Sequence, residues 1–398
     1  MVRKTSRTCF VLVLLAFFCG LSSPAQHAPS QDAQSLIMQG QKALAEKQYT
    51  TAEQDFTRLL QLGVRTAPVY SNLGVVYMRV GKIDKAITML DKAKNLAPTV
   101  PGIRLNLGLA YLREQEFKLA SRSFAEVISL DPNDLQAQYL KGMCDFMTDD
   151  FQAAVDSLQP IFDQEQTDLE YLFMLGISYG MLKRDEDSQR TFAHLVEVGG
   201  DTPHLHLLLG KAYLALGQLS EADKELQQAT KGEPLPYAHY YRGILAQKQG
   251  KTDEATAQFS EEVALIPNNP WAYKELATIQ MDRDENAKAI QLLERGVTNN
   301  PESADLYATL GRAYLHAPDT KRAVAMLKKA IALDPKSGMY HYQLAQAYLA
   351  EGHRQQAEVE KQQARKLMSG DSQGKMEQFS RGSGSPTPDG NERKRIID

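Results

Sequence analysis

Apolar and polar positions along this chain follow two periods at once. Over short stretches, apolar or small residues recur every three or four positions, as at Tyr70, Leu73, Gly74 and Tyr77. That spacing predicts an amphipathic helix. Over longer distances a phrase returns: Leu-Gly-x-x-Tyr, then Ala nine residues on. It reads Leu73-Gly74, Tyr77 and Ala86, then Leu107-Gly108, Tyr111 and Ala120. It returns as Leu175-Gly176 with Tyr179, as Leu209-Gly210, Tyr213 and Ala222, and as Leu310-Gly311, Tyr314 and Ala323. Such a period predicts a solenoid, in which each repeat buries its apolar face by stacking on its neighbours.

Aligning on the glycine places repeat starts near Ala33, Ala67, Pro101, Leu135, Leu169, Pro203, Pro236, Pro270, Ala304 and Gly338. Every step is 34 residues except one of 33, between Pro203 and Pro236. The missing residue belongs in the loop around Lys231-Gly232-Glu233-Pro234, because a deletion inside a helix would turn its apolar face by ~100°. Each repeat predicts two helices and a turn. In the second repeat Gly81-Lys82 ends the first helix, and Ala86, Ile87, Leu90 and Ala93 mark the next. Pro98 closes the unit, as Pro132, Pro234, Pro267, Pro301 and Pro335 do elsewhere, since proline has no N–H and blocks further helix. The small residues suggest a tight crossing where Gly74 meets Ala86. Leu in place of such a Gly should overpack the crossing by roughly 1–3 kcal/mol.

In spacing and residue type the chain resembles the tetratricopeptide repeat (TPR) family. Tyr307, Leu310, Gly311, Tyr314, Ala323, Leu327, Ala330 and Pro335 reproduce the family pattern in full, and the resemblance runs from about Ala33 to Leu367. It implies an all-α fold, a right-handed superhelical solenoid of about ten helix-turn-helix repeats. Departures are local: Asp145 stands in the Tyr place, Ser188 in the Ala place and Gly200 in the Pro place. The fourth and fifth repeats are therefore expected to be less regular or to bend the stack. In the tenth, Lys361 takes the slot of Phe124, Phe192 and Phe259, among Gln355, Gln356, Glu358, Glu360, Gln362 and Gln363. A polar last helix suits a terminal cap.

The ends differ from the repeats. Arg3, Lys4 and Arg7 precede a short apolar core, Cys9 to Leu21, and Ser23-Pro24-Ala25 offers small residues for cleavage. Residues 1–25 thus read as a secretory signal. The apolar run is shorter than the ~20 residues of a spanning helix, and the competing reading is an uncleaved anchor. Residues 26–32 form a polar leader, 33–368 the solenoid and 369–398 a Gly/Ser/Pro-rich tail expected to be disordered. Export to a periplasmic or extracellular space follows from the signal. Two of three cysteines would leave with it, so Cys144 is expected to be a buried small hydrophobe. The formal charge is −4, with clustered cations only at Arg393, Lys394 and Arg395, which argues against a nucleic-acid groove.

Chemistry is sparse. The sequence has no phosphate-binding Gly-rich loop, no His-Glu-x-x-His and no nucleophile elbow. His204 and His206 lie two apart on a helix and face different ways, so neither a metal nor another cofactor is expected. Asp149-Asp150 and Asp185-Glu186-Asp187 read as solvated helix starts. The expectation is a non-catalytic protein with no small-molecule substrate.

In the family, the first helix of each repeat lines a concave groove that takes a segment of a partner protein. Carried to this chain, the resemblance puts Leu105, Tyr139, Phe173, Leu207 and Tyr240 in one row. Val75, Leu109, Met143, Met147 and Ile177 lie beside it, with Asn72 and Asn106 where some family members present an Asn ladder. The row reads either as packing or as an apolar, Met-rich stripe for a partner segment. Further on, Lys274, Thr278, Asp282, Arg312 and His316 make the groove polar. The leading expectation is an interaction scaffold. The alternative is a self-associating structural scaffold of a cell-envelope secretion or polysaccharide-export assembly, the groove then serving as a homo-oligomer contact.

Overall fold

The computed structural model describes residues 31–369. They divide into two compact units, 31–189 and 190–369, each all-helical. The expected signal (1–25), most of the leader and nearly all of the tail lie outside the described residues. No helix among the described residues is long and apolar enough to cross a membrane.

The first unit holds four complete hairpins and most of a fifth. They are α1 (Gln31–Ala45) with α2 (Tyr49–Gln61), α3 (Ala67–Arg79) with α4 (Ile83–Leu96), and α5 (Pro101–Arg113) with α6 (Phe117–Leu130). α7 (Leu135–Met147) is followed by a broken second helix: α8 (Phe151–Leu158), a 3₁₀ turn (Gln159–Ile161) and α9 (Phe162–Glu165). α10 (Leu169–Met181) then leads into α11 (Asp185–Gly199), which carries the division. The second unit pairs α12 (Pro203–Ala215) with α13 (Leu219–Ala229), α14 (Ala238–Lys248) with α15 (Thr252–Leu265), and α16 (Pro270–Asp282) with α17 (Asn286–Asn299). It ends with α18 (Ala304–His316) and α19 (Thr320–Leu333), then α20 (Gly338–Ala350) and α21 (Arg354–Ser369). First helices begin where the periodicity places them, save α1, two residues early, and α14, two residues late.

Inside a hairpin the turn is standard. All ten repeats put a residue of positive φ at the same register, from Lys47 (φ 60°) and Gly81 (φ 74°) to Gly352 (φ 80°). The next N–H reaches back to the first helix, as Lys82 N to Tyr77 O at 2.9 Å and Gln218 N to Tyr213 O at 2.8 Å. This satisfies a carbonyl that the helix end would leave unpaired.

The crossing is tight, but its main partner differs from the expected one. A Cβ on Gly74 would lie 2.6 Å from Leu90 Cγ, and only 3.3 Å from the Ala86 carbonyl oxygen. The same pairing, sixteen residues on, recurs as Gly108 with Phe124, Gly142 with Leu158, Gly210 with Leu226, Gly243 with Phe259 and Gly311 with Leu327. Each glycine thus makes room for one large side chain. The alanine at the Ala86 register has no exposed surface in either unit (Ala52, Ala120, Ala222, Ala323).

The fourth repeat is irregular because Pro160 lies inside its second helix and cannot donate to a carbonyl one turn back. Beside this break the Leu158 carbonyl accepts from the buried Tyr171 hydroxyl at 2.9 Å. Asp145, in the Tyr place, is buried; it accepts from Ser121 Oγ at 2.5 Å and Lys141 Nζ at 2.7 Å. In the fifth, the Ser188 hydroxyl donates to the Gly176 carbonyl at 2.9 Å across the crossing.

Candidate partner-binding faces

First helices of successive repeats touch one another within each unit: α1 with α3, α3 with α5, α7 with α10, α12 with α14, and α16 with α18. That contact decides what solvent reaches. In the first unit Val75, Leu105, Leu109, Met143, Met147, Phe173 and Ile177 are all buried. Asn72, Asn106 and Tyr139 are half-buried. The Tyr139 ring stacks on Tyr171 at 6.4 Å between centroids, and Phe173 meets Phe146 edge-on at 6.2 Å. Burial, then the charges of Asp168, Glu170 and Glu165, push the Tyr139 phenol well above its ordinary pKa, so it stays protonated. α10 is enclosed from Tyr171 to Gly180 without a break, and Met181 after it is exposed. A helix apolar all round is one that packs all round.

In the second unit Leu207 and Tyr240 are buried too, Tyr240 against Tyr241 and Phe259. Nine of the twelve residues that the resemblance places in or beside the row therefore have little surface left for a partner. Along α16 and α18 the face turns polar. Lys274 Nζ lies 3.5 Å from Asp305, which also accepts from the Tyr340 hydroxyl at 2.6 Å. Arg312 donates to Thr278 Oγ1 at 3.1 Å. Burial lowers the Arg312 pKa against the opposing pull of Asp282 and Glu275. On α20, Tyr342 and Leu349 are each 44% exposed, seven residues apart on one helix face.

The histidines and the thiol show no shared site. His204 is exposed, while His206 bonds Glu225 at 2.6 Å and Asp201 at 2.8 Å. His239 and His341 repeat the first contact, to Gln258 and Glu360. Among the described residues no group of three or more His, Cys, Asp or Glu could hold a metal ion. Cys144 is buried, and burial followed by Asp145 raises its thiol pKa, which makes it unreactive.

Glu262 and Asn269 lay outside the sequence reading. Glu262 has no exposed surface, and it accepts from two backbone N–H groups at the start of α14 and from the Asn269 amide. A signal was present: Glu262 occupies the register of Ala93, Ala229 and Ala330, where a charge has no solvent.

Family models described as tetratricopeptide repeat match residues 105–160 and 207–270, 246–313, and 67–100 and 304–337. Together they span more than half of the chain. The chain is a tetratricopeptide-repeat protein. Its TPR fold is also that of a tetratricopeptide repeat protein from Parabacteroides merdae, at 18% identity and a TM-score of 0.51, covering 63% of this chain and 99% of that one. Among curated proteins it is similar to the CTR9 homolog of Arabidopsis thaliana, 23% identical over 224 residues, or 52% of this chain. It is also similar to human Superkiller complex protein 3, 22% identical over 253 residues, or 55% of this chain. The chain spans 20% and 15% of the lengths of these two relatives.

Proposed function

We propose that this TPR protein is a non-catalytic interaction scaffold that holds a segment of another protein against the first-helix faces of its repeats. The observation that carries the reading is the residue pattern those faces leave to solvent. In the first unit a partner meets Asn72, Asn106, Tyr139 and Met181; in the second it meets the Lys274–Asp305 pair, Arg312, Tyr342 and Leu349. Such mixed apolar and polar surfaces fit protein recognition, in which a few apolar anchors are framed by polar groups. The name of one relative, Superkiller complex protein 3, places that relative in a complex, in keeping with a scaffold. The signal-like segment supports export, with the partner sought in the periplasm or outside the cell.

The test is crosslinking of residues 26–398 in native envelope extract, with crosslinked peptides read by mass spectrometry. The burial pattern determines the control. Phe173→Glu would place a charge in the core, and Tyr139→Glu would set one against the Tyr171 ring and beside Asp168, Glu170 and Glu165, so the informative variant is Asn106→Glu with Met181→Glu, at positions solvent reaches. The double variant should keep its helicity and melting temperature and lose the crosslinked partner; unchanged capture by it, and by Tyr342→Glu with Leu349→Glu, refutes the face model. Crosslinks only between copies of the chain, with a mass that rises with concentration, favour the self-associating scaffold. Fractionation of cells expressing the tagged chain tests export, and retention in the cytoplasm counts against it.

A further inference from the structure

α20 differs from the other first helices in what borders it. It touches α18, α19 and α21, and no further first helix follows it among the described residues. Its outward apolar side chains, Tyr342 and Leu349, are each 44% exposed. At the Tyr342 register Leu105, Phe173 and Tyr240 are buried, and at the Leu349 register so are Met78, Leu112 and Met281. α20 carries no Asp, Glu, Lys or Arg, whereas α21 carries Arg354, Glu358, Glu360, Lys361, Arg365 and Lys366. The charge that suits the end of an array therefore sits on α21, and α20 keeps the apolar character of a helix that packs on more sides.

The chain leaves α21 beside this face. α21 runs back along α20, and a Cβ on Gly338, the first residue of α20, would lie 2.9 Å from Met368 Cγ. From Gly338, Tyr342 lies about 6 Å and Leu349 about 16 Å along the helix. Between Gly370 and Arg395 the only large apolar side chains are Met376 and Phe379. The seven residues from Ser369 to Met376 span up to about 23 Å, enough to reach Tyr342. A segment with three residues per turn and a rise of ~3.1 Å presents positions i and i+3 on one face, about 9 Å apart. Tyr342 and Leu349 are about 10 Å apart along α20, so the spacing of Met376 and Phe379 fits theirs.

We propose that residues 376–379 dock on the open face of α20, Met376 on Tyr342 and Phe379 on Leu349. Two features favour this segment over a second copy or a free partner. Its tether of a few residues makes the contact intramolecular, at an effective concentration in the mM range that a separate chain must match. Lys375 and Glu377 balance one another in charge, and α20 carries no acid or base to repel either. The contact removes Tyr342 and Leu349 from water together with the two side chains that cover them. The array thereby covers the last of its first-helix faces, and a partner segment must displace the cover to reach it. That consequence rests on the scaffold reading, but the docking itself is tested with no partner present.

Gln346 is exposed and lies four residues after Tyr342 and three before Leu349, on the same face of α20. In the full chain it is replaced by the photo-crosslinking amino acid p-benzoylphenylalanine. A control protein carries the same replacement at Val359, 60% exposed on α21. Trypsin cuts after Lys375 and Arg381, so the docking segment is released as residues 376–381 and identified by mass. Crosslinks to that peptide, at the mass of one chain, should form about tenfold more from position 346 than from 359. Met376→Ser with Phe379→Ser should lower the yield at 346 to the level at 359, with helicity unchanged. Equal yields from the two positions, a yield that the double substitution leaves unaffected, or no crosslink at 346 overturns the proposal. Crosslinks only at twice the chain mass assign the face to a second copy and overturn it too. Partner capture that does not rise when the double substitution abolishes the crosslink leaves the docking standing and counts only against the scaffold reading.

Discussion

The crossing of Gly108 with Phe124 gives the sharpest test of how a repeat is held together. A methyl group on Gly108 would lie 2.6 Å from Phe124 Cε1 and 2.9 Å from both Cδ1 and Cζ. Carbon atoms at rest sit about 3.5–4.0 Å apart, so the ring must retreat by about 1 Å. Phe124 has no exposed surface and therefore no free space to retreat into. Gly108→Ala should cost about 1–3 kcal/mol from overpacking, offset by up to about 1 kcal/mol of improved helix propensity. The net loss is about 1–2 kcal/mol. Phe124→Ala removes the ring and should cost about 3–5 kcal/mol through the cavity left behind. In that background the new methyl meets no ring, and Gly108→Ala should be neutral or stabilising by about 0.5–1 kcal/mol. The two positions are thus coupled by about 1–3 kcal/mol, beyond the ~0.5 kcal/mol within which independent sites add. Urea unfolding of the four proteins, followed by far-ultraviolet circular dichroism with m-values compared, measures the cycle. If Gly108→Ala costs the same with and without the Phe124 ring, the crossing does not work by this steric pairing.

Two further expectations concern buried charge. Asp145→Ala strands the Lys141 ammonium, which Asp145 and Ser157 now hold, and should cost about 3 kcal/mol in urea unfolding. Replacing Asp145 and Lys141 together by Leu should recover most of that loss, and a double variant weaker than Asp145→Ala would contradict the ion-pair account. For His206, burial disfavours the protonated ring, but the hydrogen bonds and charges of Glu225 and Asp201 prevail and raise its pKa. The stabilisation is therefore complete below the ordinary imidazole pKa of ~6.5 and is lost as pH rises through the higher folded value. The melting-temperature gap between the parent chain and His206→Gln should shrink from about pH 6 to about pH 9; a gap that widens would show the sign to be wrong.

The fold was legible because the same physical requirement recurs every repeat. A glycine at the crossing, an alanine sixteen residues after Tyr70 and a turn after Tyr77 each leave a mark at fixed spacing. Even the one-residue deletion could be placed in a loop, since no helix tolerates a rotated face. The candidate face was less legible. Position along a first helix says that a residue faces the neighbouring first helix, but not how closely that helix approaches. Leu105, Phe173 and Tyr240 are buried, while Tyr342 at the equivalent place on α20 remains exposed. Glu262 was missed for a related reason. Its charge in an interior slot stands out only when the donors it serves, at the start of a helix in the same hairpin, are seen in space.

The pairing of each glycine with a large side chain sixteen residues later makes most hairpins self-sufficient at their tightest contact. Such a hairpin is an interchangeable part: it can be duplicated, removed or transplanted as one piece without altering the fit at its crossing. The seventh repeat is not portable in this way. Its entry is finished by Glu262, but the Tyr237 ring there packs on Trp271 of the eighth repeat, and Asn269, which orients Glu262, also caps the eighth repeat's first helix. Whoever shortens, lengthens or shuffles this array should move the seventh and eighth repeats together.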